Sequence, residues 1–204
     1  MMSDLIAQRP EGLYCPAGDF HIDPWQPVPR AVITHGHGDH ARSGMGCYHV
    51  VDAGLPILQW RLGEQDYRVH EHGQRFSLGR AQVSLHPAGH VLGSTQVRVE
   101  VEGQVWVASG DYKRQADPTC VPFEVVPCDT FITEATFGLP VYRWPPMAQV
   151  IDELVAWRAE CAAPVPFHRP HCRPVAAQSA RQAATRPAPA AGLGRPAARR
   201  AAPA

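Results

Sequence analysis

Alternation of apolar and polar positions dominates the middle of the chain. Ala81-Gln-Val-Ser-Leu-His86 puts an apolar side chain on every second residue, and Gln96–Val101 and Gln104–Ala108 do the same with Val97, Val99, Val101, Val105 and Val107. That period of two predicts half-buried strands, and Glu102-Gly103 between the last pair fits a two-residue hairpin turn. Ala31-Val-Ile-Thr34 reads as a short buried strand, Asp19–Asp23 as another ended by Pro24, and Thr130–Thr133 as a third. Asp66–His70 and Gln74–Leu78 have the polar admixture of edge strands. Leu55–Leu62 is apolar enough for a short helix. Met147, Val150, Ile151, Leu154 and Val155 recur at helical spacing over Met147–Ala162, an amphipathic helix ended by Pro164 and Pro166.

Composition divides the chain in two. It has 204 residues, 45% of them hydrophobic, enough for one domain with a sizeable core. The net charge of zero conceals an asymmetry, because all 19 acidic residues but only twelve of the 19 basic ones precede residue 161. Beyond Cys161 the large apolar residues dwindle to Val165, Phe167, Val175 and Leu193 among Ala, Pro and Arg. Such a stretch buries too little surface to offset its ordering entropy, so 164–204 is expected to be a disordered tail after a domain spanning 1–163. A nucleic-acid-binding tail is the functional alternative, but no aromatics interleave its arginines. Extraneous or frame-shifted sequence after a truncated domain is the favoured reading. No apolar run reaches membrane-spanning length and the start lacks a signal-peptide pattern, so a cytoplasmic protein without membrane partners is expected. Cys15, Cys47, Cys120, Cys128, Cys161 and Cys172 are scattered without a Cys-x-x-Cys pair and read as reduced, mostly buried thiols.

The chemistry gathers at Ile33-Thr-His-Gly-His-Gly-Asp-His40, where a predicted strand opens into a loop. His35, His37, Asp39 and His40 fall within six positions, separated by glycines that would let the backbone bend and aim them together. A histidine-rich surface loop could hold the same residues, but the Asp-His pair, the preceding strand and the downstream candidates favour a metal site. The donor set suits zinc, with manganese or iron as alternatives because a carboxylate is present. His90 follows a glycine at the end of the strand from Ala81, Asp111 follows the strand ending at Ala108, and Glu134 follows the strand ending at Thr133. Asp23, at another strand end, either orients a histidine through a hydrogen bond or opens a turn as Asp-Pro commonly does. His70 and His72 also lie two apart, but their charged surroundings predict exposed side chains.

The succession His35-x-His37-x-Asp39-His40, His90, Asp111 resembles the metallo-β-lactamase superfamily. His86-Pro-Ala-Gly-His-Val-Leu-Gly-Ser94, Ser109-Gly-Asp-Tyr112 and Thr133-Glu-Ala-Thr-Phe-Gly138 are similar to the nucleic-acid-processing β-CASP branch. Leu13–Trp25 and Phe137–Pro145 are similar to segments of bacterial ligase-associated DNA exonucleases, and the likeness runs over about 10–163. The resemblance implies an α+β fold, an αββα four-layer sandwich of two mixed sheets with helices outside, incomplete in this chain. It implies two zinc ions, with manganese as alternative. His35, His37 and His90 would hold one, Asp39 and His40 the other, and Asp111 both. Asp39, Asp111 and Glu134 would be the catalytic carboxylates, with Asp23 supporting a ligand. The activity implied is phosphodiester hydrolysis on DNA, exonuclease-like, in repair or processing beside an ATP-dependent DNA ligase system. RNA processing, thioester hydrolysis and an inactive metal-binding remnant are the competing readings. Family members continue after the Met147 helix into a cap domain and further histidines, none recognisable here. His168 and His171 match no such motif, so a truncated and weakened enzyme is expected.

Overall fold

The computed structural model describes residues 4–135, 141 and 143–160. The chain divides into two compact units, Met1–Met147 and Ala148–Ala204. The expected tail at 164–204, His168, His171, Cys161 and Cys172 lie outside the described residues.

The first unit holds two sheets. One contains, in spatial order, β1 (Ala7–Arg9), β2 (Gly12–Cys15), β3 (Phe20–Ile22), β4 (Ala31–Val32), β5 (Tyr48–Val51) and β6 (Tyr67–His70). Its first three strands are antiparallel, and β3 through β6 are parallel. The other sheet is ordered β11 (Thr130–Ile132), β10 (Gln104–Ala108), β9 (Thr95–Val101), β8 (Ala81–Pro87) and β7 (Arg75–Leu78). Its pairs are antiparallel except β10 with β11. β6 and β7 are edges, as their polar admixture predicts. The β9–β10 turn has Glu102 at φ 51° and Gly103 at φ 83°, the doubly positive pattern of a type I′ hairpin.

The sheets face each other across a core of Phe20, Ile22, Val32 and Val51 from one and Val83, Leu85, Val97, Val99 and Ala108 from the other. Alternation on β9 turns Arg98 and Glu100 outward, where they pair at 2.8 Å. The parallel strands behave differently. Val51 and Val32 enter the inter-sheet core, while Val50, Ala31 and Ile33 enter a second cluster on the opposite face. There α1 (Leu55–Leu62) contributes Leu55, Leu58 and Leu62. A parallel strand covered on both faces shows no alternation. That is why β5, Tyr48-His-Val-Val51, was not predicted, and the short β1 and β2 were missed beside turn-forming residues. The described residues of this unit therefore trace helix, sheet and sheet as successive layers of an α+β fold.

α2 (Met147–Glu160) lies, apart from its first residue, in the second unit, and its positions include exposed Ile151, Leu154, Val155 and Trp157. No described helix is long and apolar enough to cross a membrane. Cys15, Cys47, Cys120 and Cys128 are free thiols; Cys15 is buried and the others half-buried.

His70 and His72 correct an expectation, since both are half-buried. An edge strand still has an inner face. His70 stacks on Phe76 of β7 at 3.6 Å between ring centroids, and its Nε2 lies 3.0 Å from His49 Nδ1. Burial lowers the pKa of both histidines, and the His70 ring serves as a packing group against Phe76.

Leu85 is fully buried between the sheets. Leu85→Ala is expected to reduce the unfolding free energy by about 2–5 kcal/mol with an unchanged urea m-value, measured by equilibrium denaturation.

Candidate metal centre

Each candidate donor leaves the carboxyl end of a strand. Asp23 follows β3, His35–His40 follow β4, His90 follows β8, Asp111 follows β10 and Glu134 follows β11. The two sheet ends are tied together by the Thr95 N–H, which donates to the Thr34 carbonyl at 2.8 Å. The His90 loop is closed by Ser94, whose Oγ accepts from the amides of His90 and Val91 at 3.0 and 3.1 Å.

Gly36 and Gly38 do not adopt the left-handed conformation that a tight bend would need. Their smallness serves close approach instead. A Cβ on Gly36 would lie 2.7 Å from Ile57 of α1, and Arg61 of the same helix donates through Nη1 to the Gly36 carbonyl. Gly110, by contrast, has φ 54°, and a Cβ there would sit 2.7 Å from Thr34 Oγ1. Left-handed backbone beside a neighbour that close admits only glycine, so Asp111 is delivered by a segment pressed against Thr34.

Four donors converge. One ligand atom from each of His35, His37, His90 and Asp111 lies within 4.8 Å of the other three. His37 Nδ1 is 2.9 Å from His35 Nε2 and 3.3 Å from His90 Nε2. Asp111 Oδ2 is 3.7 Å from His35 Nε2 and 3.6 Å from His90 Nε2. A tetrahedral zinc with ligands near 2.0–2.1 Å needs donor separations of about 3.3 Å, so the four residues fit such an ion. The other oxygen of Asp111, Oδ1, lies 3.3 Å from His40 Nε2, and Asp39 Oδ2 lies 3.7 Å from the same nitrogen. Asp39, His40 and Asp111 thus form a smaller, more open donor set beside the first.

Asp23 has a left-handed backbone, φ 45°, which turns its carboxylate back toward the cluster. Its Oδ2 accepts from His40 Nδ1 at 2.7 Å, and its Oδ1 accepts from the Thr34 amide at 2.7 Å. Glu134 stands at the β11 exit, half-buried, and its charge acts to raise His90. The residues missed in the sequence are Thr34, Ser94 and Arg61. Thr34 closes a run that reads as a buried strand, where β-branched threonine is common and its hydroxyl carries no signal. Ser94 and Arg61 lie four and 21 positions from the nearest histidine of the cluster, where spacing carries no signal.

Burial, with the charges of His40 and His37 in the same sense, holds His35 far below the usual histidine value, at about 2. Burial lowers His90 too. The hydrogen bond from His40 pulls Asp111 down to about 2. Burial would also lower His40, but its bonds to Asp111 and Asp23 outweigh that and raise it to about 10. Near neutral pH the larger donor set therefore offers lone pairs on His35 and His90 and an ionised Asp111, the charge state a divalent cation requires.

A probable DNA ligase of Opitutus terrae is 33% identical over 162 residues, 74% of this chain and 15% of that protein. The endoribonuclease ysh1 of Aspergillus fumigatus is 38% identical over 61 residues, 28% of this chain and 7% of that protein. These likenesses support the resemblance of the chain to the β-CASP branch of the metallo-β-lactamase-fold nucleases. The chain spans a small part of the length of these relatives. Cleavage and polyadenylation specificity factor 73 of Drosophila melanogaster is 29% identical over 104 residues, 48% of this chain and 15% of that protein. Among solved structures, the FEZ-1 metallo-β-lactamase of Legionella gormanii has a TM-score of 0.35 at 17% identity, over 56% of this chain and 61% of that one. No protein-family model matches the chain.

The two donor sets are separable by mutation. His40→Ala is expected to leave one tightly held divalent ion per chain, whereas His90→Ala is expected to abolish tight retention, both read by elemental analysis after dialysis against zinc.

Proposed function

We propose that this chain carries the metal-holding half of a phosphodiesterase acting on DNA, an exonuclease-like enzyme of DNA repair or processing. The observation that carries the reading is the placement of Asp111, whose two oxygens face different donor sets, 3.6 Å from His90 through Oδ2 and 3.3 Å from His40 through Oδ1. A carboxylate shared in that way is what a site for two adjacent cations needs. Two zinc ions, or manganese in their place, suit the His and Asp donors. His35, His37, His90 and Asp111 would hold one, and Asp39, His40 and Asp111 the other. When bound, such ions activate water and neutralise the charge that builds on a phosphodiester undergoing in-line attack.

The chain's own residues do the positioning. Asp23 fixes the His40 ring through Nδ1, leaving Nε2 toward Asp39 and Asp111. Asp39 keeps three-quarters of its side chain exposed, so it faces the side from which a substrate arrives. Arg61, held over the His35–Asp39 loop through the Gly36 carbonyl, has no carboxylate in ion-pair range among the described residues. Its guanidinium is available to a phosphate of the substrate backbone.

The likeness to the Opitutus terrae probable DNA ligase over 74% of the chain supports DNA as substrate and a place beside strand joining. The likeness to the Aspergillus fumigatus endoribonuclease, over 28%, supports RNA as the second reading. The full chain, loaded with zinc or manganese, is expected to shorten end-labelled DNA faster than RNA of the same sequence. Asp111→Ala is expected to cost more than the roughly 10–100-fold that losing an outer partner of a ligand costs. Faster loss of RNA would select the second reading, and turnover of a thioester but of neither nucleic acid would refute both.

A further inference from the structure

Thr34 is 1% exposed and lies between residues from three of the loops that bring donors together. Its amide and hydroxyl both bond Asp23, at 2.7 Å to Oδ1 and 2.5 Å to Oδ2. Its hydroxyl is also 3.1 Å from His35 Nδ1. On the far side Gly110 presses against it, one residue before Asp111.

A hydroxyl has one proton and two lone pairs. The carboxylate of Asp23 accepts, so the Thr34 proton goes to Oδ2, and toward His35 the hydroxyl can only accept. His35 must then carry its proton on Nδ1 and present a bare Nε2, the nitrogen 2.9 Å from His37 Nδ1 and 3.7 Å from Asp111 Oδ2. The same Asp23 oxygen accepts from His40 Nδ1 at 2.7 Å, which turns that ring's Nε2 to Asp111 Oδ1 at 3.3 Å. We infer that Thr34 is a positioning residue: its hydroxyl relays the Asp23 carboxylate to His35, so that the acid that holds the His40 ring also sets the tautomer of His35. The inference rests on the metal reading of the site proposed above.

Thr34→Val keeps the shape and deletes the relay, while Thr34→Ser keeps the relay and trims a methyl. Zinc affinity of the full chain, read by competition with a chelator, is expected to fall about 10–100-fold in Thr34→Val and to stay near the wild-type value in Thr34→Ser. Long-range 1H–15N correlation of the metal-free wild-type chain is expected to show the His35 proton on Nδ1. Equal affinity in Thr34→Val, equal losses in both variants, or a proton on His35 Nε2 would each overturn the relay. The spectrum decides even where Thr34→Val does not fold. A wild-type chain that takes up no divalent ion would instead refute the metal reading, with the tautomer still read directly.

Discussion

Strand direction is the constraint on which the centre depends. β3 through β6 run one way in their sheet, and β8, β10 and β11 share a direction in the other because β9 turns back between the first two. All the donors leave carboxyl ends, so closing the two sheets over one core brings those ends to a common edge. Sites at the carboxyl edge of parallel strands are a general outcome of such topology. The apolar contacts of Leu85, Val97 and Val99 with Phe20 and Ile22 thus decide whether His90 can meet His35 at all. Stability and donor geometry are coupled through one layer of side chains.

Much of this was legible because the chemistry is local in sequence. His35, His37, Asp39 and His40 announce themselves within six residues, and His90, Asp111 and Glu134 stand at the ends of runs whose period marks them as strands. The regions that resisted lacked a periodic signal. β5 is buried on both faces, so no alternation marks it. The neutral rings of His70 and His49 pack like aromatics, and residue type alone suggests the opposite. Gly36 was legible as a glycine but not for the right reason, since crowding by Ile57 rather than backbone bending leaves little room for a side chain there, while Gly38 meets only the mobile end of Arg61. Close approach between distant segments leaves no trace in spacing.

Hydrogen bonding organises the donors more tightly than proximity does. An imidazole offers a lone pair at one nitrogen only when its proton is committed at the other. The Nδ1 atoms of His35 and His40 face Thr34 and Asp23, and their Nε2 atoms face Asp111. Asp23 must adopt a left-handed backbone to reach both, a conformation that aspartate tolerates better than most residues because its short side chain bonds locally. Asparagine there would keep the size but only one of the two acceptor oxygens, leaving either the Thr34 amide or the His40 ring to face a second donor in a half-buried site.

Charge imposes the remaining condition. Twelve basic side chains face 19 acidic ones before residue 161, so the field of this part of the chain repels a polyanion at long range. Attraction must then be generated locally. Asp39, His40 and Asp111 lie at the open side of the cluster, with Arg61 anchored on the adjoining loop. Divalent ions there would convert the most acidic corner of the site into its most positive one, and over a few ångströms that outweighs a diffuse negative background screened within about 8–10 Å at physiological salt. On the proposed reading, phosphate binding would therefore be tied to metal occupancy: the carboxylates that repel a nucleic acid when bare would be the groups that hold the charge to attract it.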